Sequence, residues 1–218
     1  MAAIRLVRGV LTVGVWTLLS RIFGFVRDIL IAAWLGTGPV AEAFLIAFAL
    51  PNMFRRFFAE GAFNMAFVPM FSKKLEAGDD ATGFARDAFA GLATVLVVFS
   101  VIAIVFMPAL VLAMASGFAG DARFDMTVTL GRVVFVYILF ISLAALLSGV
   151  LNASGRFMVA AAAPVILNVI LIGALVLSNA GVVVGSIIDP AYEGASIGTA
   201  LAYGVVIAGV AQFALLWW

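Results

Sequence analysis

Four arginines lie inside strongly apolar stretches of the sequence, and they are the residues with the clearest chemical meaning. They are Arg21, Arg27, Arg55 and Arg56. A charge at membrane depth costs about 3 kcal/mol or more unless it faces protein or water. Guanidinium groups keep their charge and bind phosphate oxygens bidentately. The arginines therefore predict an anion site, and a phosphate- or pyrophosphate-bearing substrate with a lipid tail fits it best.

The first apolar stretch places its polar residues on one helix face. At 100° per residue, about 140° of the circumference holds the following residues. They are Gly14, Thr17, Ser20, Arg21, Gly24, Arg27 and Asp28. Arg21 and Asp28 are seven residues apart and nearly eclipsed, so one interpretation is a pair that only fastens two helices together. A third charge on this face, Arg27, favours a hydrated cavity.

The second stretch, from Glu42 to Lys74, is mostly apolar and helix-forming. Four polar residues spaced four apart form a stripe, in which an arginine and a glutamate can pair. They are Asn52, Arg56, Glu60 and Asn64. Pro51 removes a backbone hydrogen bond before the stripe and predicts a kink. We favour a kinked spanning helix that lines a polar cavity; in the alternative, a helix ends at Phe54 and residues 57–71 lie on the membrane surface.

Composition places the whole chain in a membrane. Of 218 residues, 66% are hydrophobic and 11% are charged, whereas soluble domains have about 25% charged residues. The sequence therefore predicts an all-α, polytopic membrane protein. A net charge of +1 gives no sign of a nucleic-acid partner.

The residues present do not indicate catalysis. The sequence has no Cys and no His, which removes disulfides, thiolates and the commonest general base. An enzyme acting on a lipid pyrophosphate would need a base or acids that hold Mg²⁺, and only Asp28 and Glu60 lie deep. We predict no catalytic residue, metal or cofactor. A membrane scaffold, the third alternative, would not need charges at mid-depth.

Six apolar segments are long enough to predict membrane spans. They cover residues 10–35, 42–72, 89–114, 128–151, 158–177 and 195–218. Residues 73–86 form a predicted polar connection with a short amphipathic entry to the next helix. Arg132 is interpreted as an interfacial side chain. Gly198, Gly204 and Gly209 in the last segment predict close helix packing.

The distribution of Lys and Arg predicts the topology. Outside the spans, one side of the membrane receives most of the basic residues. They are Arg5, Arg8, Lys73, Lys74, Arg86 and Arg156. The opposite loops contain Arg123 alone, beside several acids. The positive-inside rule therefore predicts that both termini are cytoplasmic.

At these residues the sequence resembles the MurJ (MviN) family of lipid II flippases. The motifs that carry the resemblance extend over essentially the whole chain. They are residues 20–28 (SRIFGFVRD), 43–44, 50–52, 55–63 (RRFFAEGAF), 67–69, 151–152, 156–157, 163–164 and 167–168. The arginine-rich blocks are highly specific.

The resemblance implies the multidrug/oligosaccharidyl-lipid/polysaccharide exporter fold, with two lobes around a cationic cavity. It also implies transport of an undecaprenyl-pyrophosphate-linked peptidoglycan precursor (lipid II) to the periplasmic leaflet of the bacterial inner membrane by alternating access. The residues carried over fall into three groups. Substrate-binding residues are Arg21, Arg27, Arg55 and Arg56; charge partners or gating residues are Asp28, Glu60 and Glu42, the last in place of an aspartate; cavity-lining residues are Ser20, Gly24, Asn52 and Asn64.

Length separates this chain from the family pattern. Family members have about fourteen spans, whereas six are predicted here, which corresponds to the N-terminal lobe. One lobe cannot alternate access alone, since rocking needs two bodies. The expected partners are therefore lipid II, membrane lipids and a C-terminal lobe or second chain. The alternatives are a related exporter of another anionic or amphipathic substrate, or a truncated fragment that does not transport.

Overall fold

The regular secondary structure of the described residues is all helical, which confirms the predicted all-α class. The computed structural model describes residues 2–56, 62–182 and 185–217, with side chains for 11, 13–56, 65–182 and 185–217. These residues form helices α1 (Ala2–Trp34), α2 (Pro39–Arg55), α3 (Ala62–Ala77), α4 (Ala81–Val105), α5 (Met107–Met114), α6 (Ala122–Val134), α7 (Tyr137–Ala153), α8 (Phe157–Asn179) and α9 (Ala195–Trp217).

Four segments of the described chain are long and apolar enough to cross a bilayer. They are α4, the Ala122–Ala153 segment that contains α6 and α7, α8, and α9. By length and composition the chain is a multi-pass membrane protein, as predicted. The spans predicted over 10–35 and 42–72, and the total of six, stay predictions. Residues 57–61, between the described ends of α2 and α3, are outside the described residues.

The polar connection predicted over 73–86 is shorter in the structure. Helix α3 continues to Ala77, and Gly78 follows at φ +71°, a conformation that favours glycine. Asp80 then caps α4, because its side chain accepts a 2.7 Å hydrogen bond from the backbone N–H of Gly83. This N-cap begins α4 eight residues before the predicted span.

A break at Phe106 divides the predicted third span into α4 and α5. Pro108 has no N–H to donate to the carbonyl of Ile104, its usual helical acceptor four residues earlier. The Nε of Arg132, on α6, instead donates to that carbonyl at 3.4 Å. Arg132 therefore donates to a backbone carbonyl that lacks its usual helical donor. The interpretation of Arg132 as an interfacial side chain did not include this contact.

Replacement of Arg132 by leucine should destabilise the protein modestly. The lost hydrogen bond is long, so we expect a cost of about 1 kcal/mol and a fall of about 2–4 °C in the unfolding midpoint. Adding Pro108→Ala should recover most of this loss, because it returns an N–H to the Ile104 carbonyl. Thermal unfolding in detergent checks the prediction; equal midpoints for the single and double variants would contradict it.

Helix α9 lies at the centre of the packing and is buried on most of its faces. The predicted close packing of its glycines is confirmed. A Cβ on Gly198 would lie 2.6 Å from Cγ1 of Val40, and one on Gly209 would lie 2.7 Å from Cδ2 of Tyr137. Since Cβ atoms do not approach so closely, glycine is what allows α2 and α7 to contact α9. Helix α1 packs mainly on α8.

Candidate functional site

Arg27, on α1, is fixed by two partners on two helices. Its Nε and Nη2 donate to Oδ1 of Asp28 at 3.0 and 2.8 Å, and its Nη1 donates to Oδ1 of Asn168 at 2.8 Å. The Arg27 side chain is 18% exposed and the Asp28 side chain 64% exposed. The guanidinium is therefore mostly enclosed and held in one orientation.

Asn168, on α8, joins three of the predicted site residues. Its Nδ2 donates to the backbone carbonyl of Ser20 at 2.9 Å, while its Oδ1 accepts from Arg27. A Cβ on Gly24 would lie 3.6 Å from the same Nδ2, an ordinary contact. Sequence reasoning named Asn168 only within a motif and a span; a polar amide inside an apolar helix was the signal for a functional role.

Arg21 and Asp28 are not paired in the structure, despite their alignment on the helix. Seven residues of helix rise about 10.5 Å, which is a long reach for these two side chains. Asp28 instead bonds to the adjacent Arg27. Arg21 is exposed on the lobe surface.

Arg55, in the last turn of α2, borders a cavity of about 400 Å³. Its neighbour Phe54 makes edge-to-face contacts with Phe99 and Phe135, at centroid distances of 5.1 and 5.8 Å. These rings fix the end of α2 against α4 and the α6–α7 junction. The other residues that line the cavity come mainly from α7, α8 and α9. They are Val68, Ile141, Ala144, Ala145, Ser148, Gly149, Asn152, Ala160, Ala163, Pro164, Gln212 and Leu216.

A buried tyrosine lies next to the cavity that Arg55 borders. Tyr137, on α7, is 2% exposed. The Tyr137 hydroxyl lies 3.4 Å from Oε1 of Gln212, whose Nε2 donates to the carbonyl of Ala163 at 2.8 Å. Gln212 also lines the cavity that Arg55 borders, so Arg55 and Tyr137 lie near one region of the lobe interior. The anion site stays a prediction.

The structure describes only some residues of the predicted polar stripe. Arg56 follows α2 and is exposed. Asn52 donates from Nδ2 to the carbonyl of Phe48 at 2.8 Å, so its amide serves the helix that contains Pro51. Glu60 and the side chain of Asn64 are outside the described residues, and the Arg56–Glu60 pair stays a prediction.

Glu42 lies at the opposite end of α2 from Arg55, about 20 Å away along the helix. Its Oε2 accepts from Nη1 of Arg123 at 2.6 Å. The structure therefore does not group Glu42 with the arginines. Its charge partner, Arg123, is 81 residues away, and sequence reasoning had counted it only as a loop charge.

The fold defines the class of protein. A solved structure of the lipid II flippase MurJ in its inward closed conformation matches the chain with a TM-score of 0.70. The match covers 93% of this chain and 41% of the solved one, at 24% identity. The chain therefore has the exporter fold that the resemblance implied.

Sequence comparison identifies the family. The model of the family described as lipid II flippase MurJ matches residues 31–217. The "Probable lipid II flippase MurJ" of Rhizobium tropici is 46% identical over 219 residues, and that of Rhizobium meliloti 45% identical over 216. The lipid II flippase MurJ of Burkholderia cenocepacia is 44% identical over 211 residues. The chain belongs to the MurJ family.

The extent of these matches is unequal. They cover 97% of this chain for both Rhizobium relatives and 95% for the Burkholderia relative. In each case they cover 39% of the relative. The chain spans about two fifths of the length of the curated relatives it matches.

Proposed function

We propose that the chain forms the N-terminal lobe of a lipid II flippase. The whole transporter would move an undecaprenyl-pyrophosphate-linked peptidoglycan precursor from the cytoplasmic to the periplasmic leaflet by alternating access. Membership of the MurJ family supports this function. The observation that carries it is the placement of two arginines in an apolar lobe: Arg27 is held between Asp28 and Asn168, and Arg55 borders the cavity.

The two arginines would hold the pyrophosphate and sugar head of the substrate. Guanidinium groups match phosphate oxygens in charge and geometry, and their attraction for an anion is stronger where water is scarce. Arg21 and Arg56, both exposed, would reach the same head group from the lobe surface. The lipid tail would remain in the bilayer.

Transport is proposed in preference to catalysis because the two described acids of the predicted site are paired with arginines. Asp28 accepts from Arg27, and Glu42 accepts from Arg123. These acids therefore suit the positioning of charge better than proton transfer.

The transporter would lie in the bacterial inner membrane with both termini of this lobe in the cytoplasm. The excess of Lys and Arg on the loops assigned to that side supports the orientation. Alternating access requires a second body. The share of its relatives that this chain does not cover would supply it, either in one polypeptide or as a second chain.

A chimera tests the proposed function. Residues 1–218 would replace the matching segment of the Rhizobium tropici relative, and the product would be expressed in cells depleted of their own flippase. We expect growth to recover and lipid-linked precursor to stop accumulating. An abundant, membrane-inserted chimera that leaves the precursor accumulating would contradict the proposal.

The 218-residue chain expressed alone is the matched arm of this experiment. We expect it to insert into the membrane without restoring growth, because a single lobe has no second body to move against. Rescue by the chain alone would instead indicate a working half-transporter.

A further inference from the structure

The guanidinium of Arg123 has two partners besides Glu42. Its Nε donates to Oδ2 of Asp121 at 2.7 Å, and its Nη2 lies 2.6 Å from the same oxygen. Its Cζ lies 4.6 Å from the centroid of the Phe118 ring, a cation–π contact. Asp121 thus occupies the Nε and Nη2 edge of the guanidinium, and Phe118 occupies one face. The remaining Nη1 donates to Oε2 of Glu42.

Asp121 is itself fixed by the backbone that it caps. Its Oδ1 accepts from the backbone N–H of Arg123 at 3.1 Å at the start of α6. Hydrogen bonds from the backbone and the guanidinium of Arg123 hold the pKa of Asp121 below its ordinary value. Asp121 therefore stays ionised under mildly acidic conditions and keeps Arg123 in place.

The pairing of α2 with α6 does not depend on this ion pair. The two helices already bury Val40, Phe44 and Ala47 of α2 together with Met126 and Leu130 of α6 in one apolar cluster. Partly exposed ion pairs contribute little to stability, and the Arg123 and Glu42 side chains are 29% and 45% exposed. What the ion pair adds is a fixed position for the Glu42 carboxylate.

We propose, on the basis of the transport function proposed above, that Arg123 is the positioning residue for Glu42. Asp121 and Phe118 orient the guanidinium, and the guanidinium holds the carboxylate at the first turn of α2. Glu42 is thereby fixed at the end of α2 remote from Arg55. Loss of Arg123 would impair transport through Glu42 while leaving the packing of the two helices in place.

Charge reversal in the chimera tests this assignment. Arg123→Glu and Glu42→Arg should each lower precursor export at least about tenfold, and the double variant should lower export no further than the worse single variant, because both residues act through one ion pair. Arg123→Gln, a milder change, should lower export without changing abundance or the unfolding midpoint. The matched control is Asp125→Arg, a charge reversal at an exposed position on the same turn of α6, which should leave export within about twofold.

The outcomes distinguish this assignment from the function on which it rests. A parent chimera that fails to restore growth would overturn the proposed function and the assignment with it. A working parent chimera in which Arg123→Glu and Arg123→Gln export normally would overturn the assignment alone. Losses that add in the double variant would also overturn it, because two residues that act through one ion pair do not have independent effects.

Discussion

Replacement of Arg27 by lysine is expected to lower precursor export by about 10- to 100-fold in the chimera, although the charge is kept. The guanidinium donates to Asp28 and Asn168 at the same time, with its Nε and Nη2 on one side and its Nη1 on the other. A lysine ammonium has no planar fork and cannot reproduce this arrangement. Loss of one charge-assisted hydrogen bond costs about 1.5–3 kcal/mol, and each 1.4 kcal/mol is a factor of about ten.

Arg27→Ala should abolish export, because it removes the charge as well as the geometry. Export is measured from the leaflet distribution of lipid-linked precursor, with membrane abundance measured in parallel. Arg86→Lys is the matched control, since Arg86 is exposed on α4 and outside the candidate site. If Arg27→Lys exports at the parent rate, the planar guanidinium that donates to both Asp28 and Asn168 is not needed for export.

The second large effect is expected at Asn168. Asn168→Leu keeps the number and branching of the side-chain heavy atoms but removes the acceptor for Arg27 and the donor to the Ser20 carbonyl. Because the residue is 6% exposed, an enclosed guanidinium donor loses its partner, at a cost of about 1–3 kcal/mol. We expect export to fall about as far as in Arg27→Lys, and the unfolding midpoint to fall by several degrees.

Asn168→Asp separates the two roles of this amide. The carboxylate can still accept from Arg27 but cannot donate to Ser20, so export should lie between the parent and Asn168→Leu. Asn179→Leu is the control, because Asn179 is exposed at the end of the same helix. Parent-like export and stability in Asn168→Leu would show that the link between α1 and α8 has no part in the site.

The features that sequence reasoning predicted are those that local pattern determines. Apolar segments of spanning length predicted a helical membrane protein, and the close packing predicted for the glycines of α9 is confirmed. Local polar signals were less decisive. Asp80 begins α4 through its cap, within the charged run that had suggested a loop with a short amphipathic entry to the next helix.

No sequence pattern predicted which residues pair in the site, because the pairs join distant parts of the chain. Arg27 and Asn168 are 141 residues apart, and no helical periodicity relates residues on different helices. The same applies to Arg132, whose carbonyl partner depends on the break at Phe106 and on α6 packing beside it. The alignment of Asp28 with Arg21 on one helix face suggested an ion pair that the structure does not contain. The two residues agree in angle, but the rise along the helix axis separates them.

The central position of α9 has a consequence for how the lobe is made. Helices enter a membrane in chain order, yet α9, which fits between α2, α7 and α8, comes after all of them. The residues that contact its glycines, Val40, Leu171 and Tyr137, lack those contacts until α9 is made. The packing of the earlier helices therefore stays incomplete until α9 is inserted, and a bulky residue in α9 would disturb helices that are themselves unaltered.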